Sequence, residues 1–156
     1  MSPIWPAERP ESVYQAFVQA EGSYGDRPFL CVLPEVATVY GLQAGELTYT
    51  EARVWVERWA ARFAAAGYGR GHRVGLLLEN RPGYFLMWFA LNSLGVSVVP
   101  INPDLRLSEL KYLIEHSEIA AAIVVPSRKK DIEDAARMAQ RAVTVLGPED
   151  EVAPAA

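Results

Sequence analysis

Apolar positions follow two alternating rhythms along the chain. Between Thr50 and Ala66, residues Ala52, Trp55, Val56, Trp59, Phe63 and Ala66 fall at i, i+3, i+4, i+7 spacing, with Glu51, Arg53, Glu57, Arg58 and Arg62 largely on the other side. That spacing predicts an amphipathic helix. Thr48 or Thr50 can cap its start, and Gly67 is placed to end it in a left-handed conformation. Short, mainly apolar runs follow, at Val74–Leu78, Val96–Pro100, Ala120–Val125 and Val143–Leu146, with Ser97 and Thr144 as their polar members. Runs of this length with both faces apolar predict strands of a buried parallel sheet. Helical segments separate them: Pro82–Leu94, apolar nearly all round; Ser108–Ser117, with Ser108 as cap and Leu110, Leu113 and Ile114 facing in; and Ser127–Arg141, amphipathic through Ile132, Ala135, Ala136 and Ala139. Strand and helix alternate with short connections, which implies right-handed crossovers.

The N-terminal third is less regular. Residues 12–21 predict a short helix capped by Ser12, followed by a loop from Gly22 to Pro28. Strands are expected at Phe29–Leu33 and Leu47–Tyr49, forming a hairpin. The stretch between them, PEVATVYGLQAGE, reads equally as an extension of that hairpin or an irregular insert. The expected organisation is an extended lead-in over 1–10, a single α/β domain over 11–146 and a disordered acidic, Pro- and Ala-rich tail over 147–156. The fold class is α/β: a mostly parallel sheet covered by helices, with an N-terminal hairpin.

Composition narrows the function classes. The 156 residues are 51% apolar and 22% charged, enough to bury a core. A net charge of −4 argues against a broad nucleic-acid or anionic-lipid surface. Cys31 is the only cysteine, so neither an internal disulfide nor a CxxC site can form. The start has no basic segment leading into an apolar one, so it does not read as a signal peptide. The long apolar stretch Tyr84–Ile101 is interrupted by Asn92, Ser93, Gly95, Ser97 and Pro100. It reads as a buried helix and strand rather than a membrane span, and the expected location is the cytoplasm.

Few residues offer chemistry. Gly67-Tyr-Gly-Arg-Gly follows a helix and precedes a strand, the reverse of a phosphate loop, and reads as a helix stop with a tight turn. Glu79-Asn-Arg-Pro-Gly has the strand-then-helix order in which an anion can sit; the plainer reading makes Asn80 the helix cap and leaves Arg81 solvated. His116-Ser117-Glu118 holds triad residue types, but neighbours at a helix end cannot face one another as nucleophile and base. His72 reads as a solvated turn residue and Cys31 as a small core residue. Trp55, Trp59, Trp88 and Phe89 read as core filling ahead of a ring-stacking site. No metal-ligand cluster stands out.

The order of segments resembles a known family. Leu47-Thr-Tyr-Thr-Glu-Ala opens the amphipathic helix. Gly69-Arg-Gly-His-Arg-Val-Gly-Leu-Leu-Leu-Glu-Asn follows, then Ala90-Leu-Asn-Ser-Leu-Gly-Val-Ser-Val-Val-Pro-Ile-Asn-Pro and Glu109-Leu-Lys-Tyr-Leu-Ile. This is similar to the N-terminal part of the adenylate-forming superfamily, across about Ser12 to Val125. The Val-Pro-Ile-Asn-Pro ending resembles the acyl-CoA synthetase branch. Such enzymes activate a carboxylic, here expectedly fatty, acid with MgATP to an acyl-adenylate and transfer the acyl group to CoA. The family's Gly-rich phosphate loop ending in Pro-Lys, its adenine and ribose motifs and its C-terminal domain with the catalytic lysine have no counterpart in this sequence.

The resemblance therefore implies a fragment that acts as a non-catalytic scaffold, with no cofactor bound by this chain alone and ATP, Mg and CoA used by the full-length enzyme. The expected partner is the missing C-terminal portion, or a second copy through self-association. Relatives usually carry an acidic residue where His72 stands. Some CoA ligases place a basic residue directly after Asn-Pro to reach the CoA nucleotide; here that position is Asp104, and Arg106, two further on, is the candidate. A stand-alone binding or assembly protein with the same fold is the alternative. A doubly wound regulatory domain of flavodoxin or receiver type ranks below both, because the strand ends carry no acidic cluster.

Overall fold

The computed structural model describes residues 9–155. The expected lead-in therefore lies mostly outside the described residues. Helix α1 (Val13–Tyr24) starts at Ser12, whose hydroxyl accepts the Gln15 amide at 3.1 Å. It runs through Gly22, so the expected loop is shorter than its composition suggested. Strands β1 (Pro28–Val32) and β2 (Gly45–Thr48) pair antiparallel, but they are not joined by a simple turn. The ambiguous stretch between them contains helix α2 (Pro34–Tyr40), with Pro34 in its first turn and Gly41 left-handed at its end.

Helix α3 (Tyr49–Ala65) opens with a reciprocal cap. The Glu51 amide donates to Thr48 Oγ1 at 3.2 Å, and the Thr48 amide donates to Glu51 Oε2 at 2.9 Å. At its far end Gly67 has φ +89°, and the Tyr68 amide reaches back to the Phe63 carbonyl at 3.0 Å. The Tyr68 ring meets Phe63 edge-on at 5.7 Å. This is the hydrogen-bond and apolar closure that a left-handed glycine permits. The glycine-rich segment is a helix stop, as its order predicts.

The chain then alternates strand and helix: β3 (Arg73–Leu77), α4 (Pro82–Ser93), β4 (Ser97–Pro100), α5 (Leu107–Ser117), β5 (Ala121–Val124), a 3-10 turn at Pro126–Arg128, α6 (Lys129–Met138) and β6 (Thr144–Leu146). All pairings are parallel, in the order β4-β3-β5-β6. Helix α4 packs with α3 and α1, and α5 packs with α6. With right-handed crossovers these groups fall on opposite faces of the sheet. The core runs through Val74, Leu76, Leu77, Ala122, Ile123 and Val124 of the central strands to Leu91, Leu110, Ile114 and Ile132 of the helices. The α/β class, with its parallel sheet and helical cover, is the one the sequence predicts.

Several positions differ from expectation. Trp55 is 45% exposed, whereas Ala52, Val56, Trp59 and Phe63 are buried. Trp55 sits about 100° round the helix from Val56 and falls off the edge of the buried stripe. Cys31 is exposed on β1, because the two-stranded sheet is open on that side. Arg106, not Ser108, is the N-cap of α5. In the segment expected as a disordered tail, the Gly147 amide donates to Asp150 Oδ2 at 2.6 Å and the Ala155 amide donates to the Ala66 carbonyl at 2.7 Å. Val152 and Ala155 pack against the core. No helix among the described residues is long and apolar enough to cross a membrane.

Candidate functional site

In an open parallel sheet, ligands gather at the carboxyl ends of the strands, near the point where strand order reverses. Here the chain steps from β3 to β4 on one side and then returns to β5 on the other. Two neighbouring regions at that end carry polar side chains.

The first surrounds Arg81. Its backbone is extended (φ −121°, ψ 156°), and it occupies the N-cap position of α4 without a side-chain cap, with Pro82 in the first turn. Asn80 is therefore not the cap. Nor is Arg81 solvated: its side chain is 17% exposed, pairs with the Glu79 carboxylate and lies over the Tyr40 ring at 5.9 Å. A cleft of about 270 Å³ opens beside it, walled by Trp55, Trp59, Leu86 and Met87 and rimmed by Glu149. The tryptophans thus split in role. Trp59 is core with one edge on this cleft and Arg62 over its ring at 4.9 Å; Trp55 lies on the surface under Arg58 at 5.1 Å. Phe89 is core filling, stacked on Phe17 at 4.6 Å.

The second region is the turn from β4 into α5. The Asn102 side-chain oxygen accepts the Asp104 amide at 2.9 Å, turning the chain so that Arg106 stands at the head of the helix. The Arg106 amide donates to Glu109 Oε2 at 2.7 Å. Its side chain is exposed, and its guanidinium makes no hydrogen bond or ion pair among the described residues. Arg128 braces the turn from β5's end, donating to the Leu105 carbonyl and to Asp131, both at 2.6 Å. Along the outer face of α5 lies an open groove of about 570 Å³, lined by Leu105, Ser108, Glu109, Tyr112, Leu113 and His116. Tyr112 is 64% exposed on that face.

The other candidates do not assemble. His116 Nδ1 is bonded to the Tyr112 carbonyl at 2.8 Å, and Glu118, left-handed at φ 53°, pairs with Arg73. No nucleophile meets a base there. His72 closes its own turn, with Nδ1 accepting the Gly69 amide at 3.1 Å. Among the described residues no three His, Cys, Asp or Glu side chains converge to hold a metal. The shifted acids are Glu51, held below the usual carboxylate range by the Thr48 backbone and hydroxyl, and Glu115 and Asp134, lowered first by their lysine partners Lys111 and Lys130. Burial raises the Tyr68 and Tyr84 phenols.

Comparison with known proteins places this geometry. The sequence model of the AMP-binding enzyme family matches residues 19–155. A crotonobetaine/carnitine–CoA ligase from Proteus mirabilis is 34% identical over 73 residues, covering 47% of this chain and 14% of the ligase. One from Salmonella paratyphi B is 26% identical over 113 residues, 72% of this chain and 21% of the ligase. The chain thus spans well under half the length of these relatives. Among solved structures, apo MatB from Rhodopseudomonas palustris is 26% identical, with a TM-score of 0.58 over 68% of this chain and 21% of that one. The N-terminal domain of FACL13 from Mycobacterium tuberculosis superposes at TM-score 0.73 with 22% identity, over 88% of this chain and 34% of that one. A luciferase-like enzyme from the mealworm Zophobas morio does so at 0.80 with 17% identity, over 92% and 32%. These last two show the shared fold alone. The match across residues 19–155, on a sheet and helical cover shared with N-terminal domains of such enzymes, makes this chain a member of the AMP-binding, adenylate-forming enzyme family.

Proposed function

We propose that the chain is the N-terminal portion of an acyl-CoA synthetase that activates a fatty-type carboxylic acid through an acyl-adenylate and passes the acyl group to CoA. The observation that carries this is the family match running to residue 155 in a chain that spans only 14% and 21% of two CoA ligases it resembles. In this reading residues 11–146 form one α/β scaffold domain that does no chemistry alone. ATP, Mg and CoA serve the full-length enzyme. Arg106, exposed at the head of α5, is the residue offered to the CoA nucleotide. The protein works in the cytoplasm, and its partner is the remaining C-terminal portion, or another copy of itself when that portion is missing.

A second reading, a stand-alone binding or assembly protein with this fold, draws on the tail: the Ala155 amide bonds back to Ala66, so the segment closes on its own domain. The intact mass of the protein from its native source separates the two. The first reading expects a species several times heavier than 17.2 kDa, carrying a Gly-rich loop that ends in Pro-Lys. A native species of 17.2 kDa would favour the second.

A further inference from the structure

We propose that the segment after β6, residues 147–155, is a latch that opens and closes the cleft beside Arg81. The latch goes beyond both functional readings above and depends on neither, since it rests on contacts within this chain. The segment leaves the carboxyl end of β6, passes the cleft and reaches the C-terminal end of α3. Pro148 and Glu149 wall the cleft together with Trp55, Trp59, Leu86 and Met87. Further on, the Ala155 amide donates to the Ala66 carbonyl at 2.7 Å. Ala66 follows the last helical residue, Ala65, so the helix itself gives that carbonyl no partner.

Two fasteners hold the segment, one at each end. At the near end the Asp150 carboxylate folds back over its turn. Its Oδ2 accepts the Gly147 amide at 2.6 Å and lies 3.6 Å from Lys129 Nζ, while the Asp150 amide donates to the Gly147 carbonyl at 3.2 Å. Glycine permits this approach, because a β-carbon at 147 would lie 3.1 Å from that carboxylate oxygen. At the far end stands the Ala155–Ala66 bond, with Val152 and Ala155 against the core. Between the fasteners the chain forms no helix or strand, and Val152 and Ala155 are only half-buried. Glu149 and Glu151 have no hydrogen-bond or ion-pair partner among the described residues. A segment with so little buried apolar area and so few bonds opens locally while the rest of the fold stays closed. Opening removes the wall made by Pro148 and Glu149 and bares the edge of Trp59 that meets the cleft.

Hydrogen exchange of the 156-residue chain, followed amide by amide by NMR, tests the latch. The Ala155 amide should exchange about tenfold slower than in an unstructured chain. It should also exchange about a hundredfold faster than the amides of Ile101 and Val125, which bond to the Leu76 and Leu77 carbonyls in the sheet. Asp150→Ala removes the near fastener and should speed Ala155 about fivefold, leaving Ile101 and Val125 unchanged. The same variant should shift the methyl resonances of Leu86 and Met87, on the cleft, and not those of Ile114 and Ile132, on the other face of the sheet. Exchange of Ala155 at the unstructured rate would mean that nothing fastens the segment. Exchange at the rate of Ile101 and Val125, or equal acceleration of all three by Asp150→Ala, would make the segment a fixed part of the fold. Ala155 unmoved by Asp150→Ala, or unmoved methyls of Leu86 and Met87, would mean that Asp150 is no fastener or that the cleft is not gated. Each of these results overturns the latch.

Discussion

Trp55 and Trp59 stand one turn apart on α3 and meet different surroundings. Trp59 is 9% exposed in the core and packs on Phe63 at 5.9 Å; Trp55 is 45% exposed. Trp59→Ala should cost about 3 kcal/mol, toward the low end for a buried tryptophan because one edge meets the cleft. Trp55→Ala should cost under about 1 kcal/mol, and Arg58→Ala under about 0.5 kcal/mol. Urea midpoints of the three variants check this, and equal midpoints would mean that the buried face of α3 is misassigned. Periodicity found the stripe but not its edge, since a helix surface grades from buried to exposed over about 100° per residue. The Thr48–Glu51 cap makes a pH-dependent contribution. Its bonds depress the Glu51 pKa in the fold, so this stabilisation is present above the unfolded-state value and is lost as pH falls through the folded one. Glu51→Gln should therefore lower the melting temperature at neutral pH, and the difference from the parent should shrink in acid. A difference that grew on acidification would contradict the cap.

At the scale of elements, the parallel strands were legible because each is a short, mainly apolar run bounded by turn residues, with β5 apolar and buried throughout. Helix α2 was not, because its seven residues carry mixed signals and Pro34 suits both a turn and a helix start. After Leu146, Val152 and Ala155 pack against the core, a contact that composition, which reports polarity, does not display. Gly75 in the middle of β3 shows how tightly the layers meet. A β-carbon there would lie 2.8 Å from Ile101 Cδ1 and 3.2 Å from Ile119 Cδ1. Both are side-chain ends that can shift at some cost. Gly75→Ala should destabilise by about 1–3 kcal/mol, read by chemical denaturation. An unchanged midpoint would show that the two isoleucines move aside freely.

For the whole molecule, the sequence displays the alternation of elements, and with it the class of fold, but not the order β4-β3-β5-β6, which depends on which side of β3 the chain returns to. The same limit applied to the site. Arg106 could be singled out by resemblance, but its place as the N-cap of α5 needed the helix to be placed. The central claim is that this chain is a scaffold from an adenylate-forming ligase and lacks the groups that position and neutralise transferring phosphates. Pyrophosphate release by the purified chain, given MgATP, CoA and a panel of fatty and aryl acids, tests that claim most directly. The account predicts no release above a heat-killed control; acid-dependent release well above that control would contradict it.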